Sequence, residues 1–183
     1  MIILHTYTDQ NPEDQISTLH GMINLAIRWP RSVESIHCSN DESYYEALLK
    51  YWGKGNTIVN IEQDIEFMPI MVDRFYTCSE PLCTYPYQLR DRWSVYSIGD
   101  GAKLPLDTAK WYSFSERLPD YAEGSGLGFV KIGLEAQVLV NLKEYPVSEY
   151  KWWYLDTWLS YKFHKAGLKF HVHKMTVKHH HKY

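Results

Sequence analysis

The sequence is short of cysteine, of basic charge and of long apolar runs, and each shortage excludes something. Three cysteines in 183 residues, Cys38, Cys78 and Cys83, are an odd and sparse set. Such a set is no disulfide framework, and it fits a reducing, cytoplasmic setting. Cys78 and Cys83 stand five apart, wider than the close CxxC pair of a zinc knuckle. The cysteines are therefore read as small buried hydrophobes. With neither an HExxH nor a C2H2 pattern, a structural zinc site has weak support. The net charge is −3 and the pI about 6.3. A general duplex binder carries a basic excess, so nucleic acid is not an expected partner. The longest apolar stretch, Ile65 to Val72, is broken by Glu66 and Pro69 and is far too short to span a bilayer. The opening MIILHTYTDQ has no basic n-region and no cleavage site, so no signal peptide is expected.

What is present is an ordinary globular balance, 45% apolar and 22% charged, sized for a single domain over residues 1–183. The unusual entry is aromatic: 15 Tyr, 7 Trp and 6 Phe make up 15% of the chain. Local patterns then set an order of elements. Ile2 to His5 reads as a strand. Asn11-Pro12 opens a helix whose apolar face is Ile16, Leu19, Ile23 and Ile27. Ser32 to Cys38 is a second strand, and Ser39 with Glu42 forms a capping box for a helix carrying Tyr45, Leu48, Leu49 and Trp52. Thr57 to Phe67 is a third strand and Pro69 to Cys78 a helix. Residues 79 to 122, rich in Pro, Tyr and Trp, read as loops around a strand at Trp93 to Ile98. Gly124 to Ile132 is a turn feeding a strand, and Leu134 to Leu142 a helix. A last helix runs from Ser148 to Ala166, burying Trp152, Leu155, Leu159 and Phe163. Leu168 to His173 alternates as a half-buried strand. The early βαβαβ order points to an α/β fold with a mostly parallel sheet.

The third strand carries the chemistry. Its first half is apolar on both faces, as a central parallel strand should be. Its second half places Glu62, Asp64 and Glu66 at alternate positions, which puts three carboxylates on one face where a buried strand emerges. Ligands of open α/β sheets bind at that end, and clustered carboxylates repel unless a cation sits among them. Hard ions such as Mg²⁺ or Mn²⁺ suit oxygen donors and leave places for substrate phosphates. Elsewhere, the glycines of GSGLG, Gly126 and Gly128 included, permit close approach of a substrate or of another segment. Asp156, flanked by aromatic groups on the last helix, is a candidate general base. His164, His171, His173, His179, His180 and His181 crowd the last twenty residues.

Taken in order, these segments resemble a GT-A glycosyltransferase, most of all the family 2 nucleotide-diphospho-sugar transferases. Glu62-Gln63-Asp64 resembles the DxD motif, GSGLGFVKI (124 to 132) the Gly-rich acceptor-side strand, YLDTWLSYKFHKAGLKFHVH (154 to 173) the acidic helix and following strand, and MTVKHHH (175 to 181) the segment ending in a metal-binding histidine. The metal motif has Glu in its first place, and Leu155 stands where the family often has an acid. The resemblance implies a single-domain, Rossmann-like three-layer α/β/α sandwich. It implies Mn²⁺ or Mg²⁺ held by Asp64, Glu62 and His179 (or His180 or His181), with Thr6, Tyr7, Asn40 and Asp41 near the nucleotide. Asp156 becomes the base of an inverting transfer from a nucleotide-sugar, UDP-sugar first, to a glycan, protein or other hydroxyl acceptor. Gly126, Gly128, Trp111 and Tyr112 fall on the acceptor side, where aromatic rings stack on sugar faces. Three other readings use the same residues: a catalytically weakened sugar- or nucleotide-binding module, a metal-dependent phosphotransferase or nuclease, and a His-rich metal store.

Overall fold

The computed structural model describes residues 1–9, 12–104, 109–147 and 154–180. Strand β1 (Ile2–Tyr7) leads through a 3-10 turn (Pro12–Gln15) into α1 (Ile16–Arg28), then β2 (Val33–His37), α2 (Asp41–Leu49) and β3 (Ile58–Glu62). A short β4 (Ile65–Glu66), α3 (Pro69–Thr77) and β5 (Leu82–Thr84) follow. The middle of the chain contributes β6 (Val95–Ser97), β7 (Lys110–Trp111), β8 (Tyr121–Ala122), β9 (Gly124–Ser125) and β10 (Phe129–Ile132). The last part holds α4 (Leu134–Leu139), a second 3-10 turn (Leu142–Glu144), α5 (Leu155–Lys165), β11 (Phe170–Val172) and β12 (Lys178–His179).

Seven strands form the central sheet in the order β2-β1-β3-β10-β5-β11-β8. β1 pairs in parallel with β2 and β3, as the opening βαβαβ run requires. β10 is antiparallel to both β3 and β5, β5 and β11 are parallel, and β8 closes the edge antiparallel to β11, so five of the seven strands run one way. Two smaller sheets lie beside it, the β12-β4 ribbon and the β7-β6-β9 sheet. No helix among the described residues is long and apolar enough to cross a membrane.

Strand alternation sorts the core into two clusters. Ile2, Leu4, Ile58, Leu82, Val130, Ile132 and Phe170 pack with Leu48, Ala136, Leu155, Leu159 and Phe163 of α2, α4 and α5. Their strand neighbours Ile3, Val59, Ile61, Cys83 and Phe129 pack with Met22, Leu25, Met71, Val72 and Phe75 of α1 and α3. Successive residues of one strand thus feed opposite faces, which is why β1 and β3 are apolar throughout. Each such side chain contributes roughly 1.5–3 kcal/mol by leaving water.

Helix α1 departs from its expected orientation. Ile16, Leu19, Ile23 and Ile27 do share a face, but that face is exposed, Ile27 by 76%. The buried positions are Thr18, Gly21, Met22 and Leu25. Proximity to the sheet explains the choice: a Cβ on Gly21 would meet the Phe67 ring at 2.7 Å, and the Thr18 hydroxyl is needed by backbone carbonyls below it. Helix α4 stops at Leu139, short of the expected Leu142, and buries Ala136 and Gln137 while Leu134 and Val138 face outward. Gln137 is spent on backbone, its Nε2 donating to the carbonyls of Asn56 and Ile132. The cap of α2 is Asn40, one residue beyond the expected Ser39. β5 falls in the segment where loops are expected; three residues after Pro81 are too few to show a period, yet they fill a central position. The last helix is described from Tyr154 onward, and its expected start at Ser148 and burial of Trp152 lie outside the described residues. It ends as expected at Gly167, whose φ of +78° suits glycine.

Candidate functional site

β1 and β3 end side by side, with Thr6 opposite Glu62 in the register. The third strand does not continue to Phe67 as expected. It breaks at Gln63-Asp64, and β4 resumes in a different sheet, paired with β12. The turn is pinned from α1, where the Thr18 hydroxyl lies 2.6 Å from the Gln63 carbonyl and 2.9 Å from that of Ile65. It is pinned again by Gln63, which accepts from the Thr8 backbone N–H and donates 3.1 Å to the Thr8 hydroxyl.

This break overturns the expected row of three carboxylates on one strand face. Glu66 leaves the group, exposed on β4 and facing His180 at 2.7 Å and Lys178 at 3.7 Å. Asp156, from the first turn of α5, takes the third place. Burial, then the Asp64 and Asp156 carboxylates, raise the Glu62 carboxyl to about 8. Burial raises Asp156 to about 6, against the pull of hydrogen bonds from the Thr157 N–H and hydroxyl. Three acids from β3, the following turn and α5 therefore converge, and their mutual repulsion is relieved by protonation or by a cation.

His179 is the basic member. β12 places it opposite Ile65, and its Nε2 lies 3.1 Å from Asp64 Oδ2. The next backbone N–H, of His180, donates to the Asp64 carbonyl at 2.9 Å. A carboxylate oxygen and an imidazole nitrogen this far apart are spaced like adjacent ligands of a six-coordinate ion with bonds of about 2.1–2.2 Å. Glu62 feels the Asp64 charge, but its oxygens are not gathered with the donor atoms of Asp64 and His179 into a three-member ligand cluster. His181 lies outside the described residues.

Two tyrosines from the poorly periodic middle of the chain complete the site, and sequence reasoning missed both. Tyr87 packs its ring on His179, with centroids 5.1 Å apart, and its hydroxyl accepts from the Gly128 N–H at 3.3 Å. Burial, then Glu62, Asp156 and Asp64, push this phenol well above its ordinary value, so it stays protonated. Gly126 and Gly128 make room for it: a Cβ at Gly126 would fall 2.2 Å from the Tyr87 oxygen, and one at Gly128 2.9 Å from its ring. These glycines admit another segment of the chain. Tyr96 does the same on the other side of Asp156. Burial, then Asp156, push its phenol up. The glycines were the available signal, since a run of them inside a buried strand implies a large ring against it.

The remaining candidates have these positions. Thr6 is buried near Tyr44, a phenol pushed up by burial and then by Glu62. Tyr7 is half-buried between His5 and His37. Asn40 spends its side-chain oxygen on the N–H groups of Glu42 and Ser43 at 3.1 and 3.0 Å, as the cap of α2. Asp41 is the first residue of that helix, and its side chain lies outside the description. Trp111 rests on Tyr96 at 4.3 Å between centroids, under the Arg92 guanidinium, and so reaches Asp156 through one ring. Tyr112 is further out, packed on Val95, Ala122 and Val172. Among the described residues, the one group of His, Cys, Asp or Glu whose donor atoms all lie within 4.8 Å of one another is elsewhere: Cys78, Cys83, His171 and His173.

No protein-family model and no curated protein matches the sequence. Among solved structures the chain is similar to the protein A197 from STIV, described by a crystal structure, with 15% identity over 97% of this chain and 83% of that one and a TM-score of 0.59. A likeness at that identity is one of fold: a mixed α/β arrangement about a seven-stranded, mostly parallel sheet.

Proposed function

We propose that this chain is a metal-dependent glycosyltransferase of the GT-A kind, a three-layer α/β/α domain that moves a sugar from a nucleotide-diphosphate donor, UDP-sugar first, to an acceptor hydroxyl. The observation that carries the reading is the convergence of Glu62, Asp64 and Asp156, with His179 on Asp64, where the parallel strands β1 and β3 end. That is the end of an open α/β sheet at which ligands bind. Asp64, Glu62 and His179 would hold Mn²⁺ or Mg²⁺, which when bound neutralises charge on the leaving diphosphate.

The chain's own residues do the rest. Asp156, held near 6, is ionised at neutral pH yet more basic than an ordinary aspartate, as suits a group that takes the acceptor's proton during attack on the anomeric carbon. Tyr87 and Tyr96, fully protonated, wall the carboxylates off from water. Trp111, packed at a tilt on Tyr96, offers an aromatic face for a sugar on the acceptor side. Inversion, the UDP preference and a cytoplasmic setting are parts of this proposal that rest on the resemblance and composition. A second reading, a binding module without turnover, draws on Leu155: it is 2% exposed in the core and leaves Asp156 without a neighbouring acid on its helix.

The test is hydrolysis and transfer with UDP-, GDP- and CMP-sugars, with and without Mn²⁺. Metal-dependent release of nucleotide, lost in Asp64→Asn, is the expected result. Nucleotide binding without release in any combination would favour the binding module, and cleavage of nucleic acid without any sugar the phosphotransferase or nuclease.

A further inference from the structure

We propose that Cys78, Cys83, His171 and His173 form a structural zinc site, separate from the carboxylate site and independent of its function. Three segments meet there. Cys78 caps the C-terminus of α3, Cys83 lies in the middle of β5, and His171 is its register partner on β11. His173, two residues on, returns to the same face. The alternation of β11 expected from sequence holds, with Phe170 and Val172 buried in the core. Its other face meets the two cysteines, and residues 93 apart in sequence, Cys78 and His171, come together.

The spacing is that of a ligand set. The Cys78 and Cys83 sulfurs are 3.2 Å apart, Cys78 Sγ is 3.4 Å from His171 Nδ1, and the four donor atoms all lie within 4.8 Å of one another. A tetrahedral zinc with Zn–S of about 2.3 Å and Zn–N of about 2.0–2.1 Å needs edges of roughly 3.8 Å between sulfurs and 3.3–3.6 Å for the others. The sulfurs must part from 3.2 Å, and the widest of the separations, up to 4.8 Å, must close by roughly an ångström or more to reach those edges. A second observation points the same way: His173 Nε2 is buried and has no hydrogen-bond partner among the described residues, an arrangement that costs free energy unless the atom is used. The rings of His171 and His173 lie 4.8 Å apart, and His173 stacks on Tyr85 at 4.6 Å, which fixes its plane. The buried Lys131 donates 2.7 Å to the Cys78 carbonyl, tying β10 to the end of α3 beside the sulfurs.

Two thiolates and two neutral imidazoles make the donor set of a closed zinc centre, with no position left for substrate. Binding would release two protons, one from each thiol, and would tie the end of α3 to β5 and β11. Cys83 is buried while the other three ligands are partly exposed, so an ion can enter from the surface.

The test is metal binding by the reduced full-length protein. One zinc per chain is expected, and cobalt in its place should give thiolate-to-metal charge-transfer bands with the intense d–d bands of a tetrahedral centre. Cys78→Ser and His171→Gln, both at partly exposed positions, should each weaken binding at least tenfold to a hundredfold. Replacing His179, His180 and His181 together with Ala should leave the cobalt spectrum intact. Cobalt binding without thiolate bands, binding unchanged in both single variants, or loss of the spectrum in the triple-histidine variant would overturn the site. So would a protein that forms a Cys78–Cys83 disulfide and, once reduced, takes up no zinc. None of these outcomes depends on glycosyl transfer.

Discussion

The two sites proposed for metal ions are built oppositely. At the end of β3 the donors are hard: the oxygens of Glu62 and Asp64, with one imidazole, in a pocket where a third acid, Asp156, keeps repulsion high. Beneath the end of α3 they are soft: two sulfurs and two imidazoles at mutual distances a small tetrahedral ion would bridge. The first grouping is strained by its own charge, which suits a site that recruits a cation with its substrate. The second is close to neutral and closed, which suits a staple. The carboxylate site should thus be the costly one to the fold and the Cys/His site the supporting one.

The largest expected effect falls on chemistry. Asp156→Asn should lower transfer by about 10²–10⁴-fold while leaving metal-dependent nucleotide binding in place; turnover at the wild-type rate would remove Asp156 as the base. The same substitution should stabilise the fold. The Asp156 carboxyl is raised from 3.8 to about 6 in the folded chain, so its ionisation carries a stability penalty that is absent below about 3.8 and complete above about 6. After allowance for partial exposure, the gain at pH 8 should be on the order of 1–2 kcal/mol, a few degrees in Tm, and should vanish near pH 3.5. A variant equally stabilised at both pH values would contradict the charge account.

Next in size is packing. Gly126→Ala should cost about 1–3 kcal/mol by driving a Cβ into the Tyr87 hydroxyl. Pairing it with Tyr87→Phe, which removes that oxygen, should recover part of the loss in a chemical-denaturation series; strictly additive effects would break the link between glycine and ring. A smaller effect concerns pH and rate. Transfer should fall about tenfold per unit as pH drops below about 6, where Asp156 takes up its proton, and a profile flat to pH 5 would argue against it. The smallest is Trp111→Ala, at a half-buried ring. It should weaken acceptor affinity a few-fold with little change in Tm, whereas lost stability with unchanged affinity would return Trp111 to the core.

The same comparison shows how much could be read from the chain alone. The order of the first three strands, the helix at Pro69 and the stop at Gly167 follow from short-range patterns of apolar residues, proline and glycine, and they formed as expected. Asp64 and His179 come together because β12 pairs with β4 just past the turn that carries Asp64. Glu66 did not join them, since the Thr18 hydroxyl and the Gln63 amide fold the strand into a turn that alternation alone cannot anticipate. The Cys/His group was hidden for another reason. Cys78 and Cys83 stand on a helix end and a strand, so they carry no knuckle spacing, and their partners lie on β11, whose exposed-looking alternate positions are covered by α3. Tyr87 and Tyr96 were hidden in a segment with no period, and only Gly124, Gly126 and Gly128 marked where their rings would go. The apolar stripe of α1 misled because a helix held against the sheet by Thr18 and Gly21 puts small and polar residues inward.

The most direct measurement is a thermal-shift matrix of metal against nucleotide on the intact protein. The account predicts that UDP raises Tm only when Mn²⁺ is present, that Asp64→Asn abolishes this coupling, and that Cys78→Ser preserves it at a lower starting Tm. A shift by UDP that is the same with and without Mn²⁺, or coupling that survives Asp64→Asn, would contradict it.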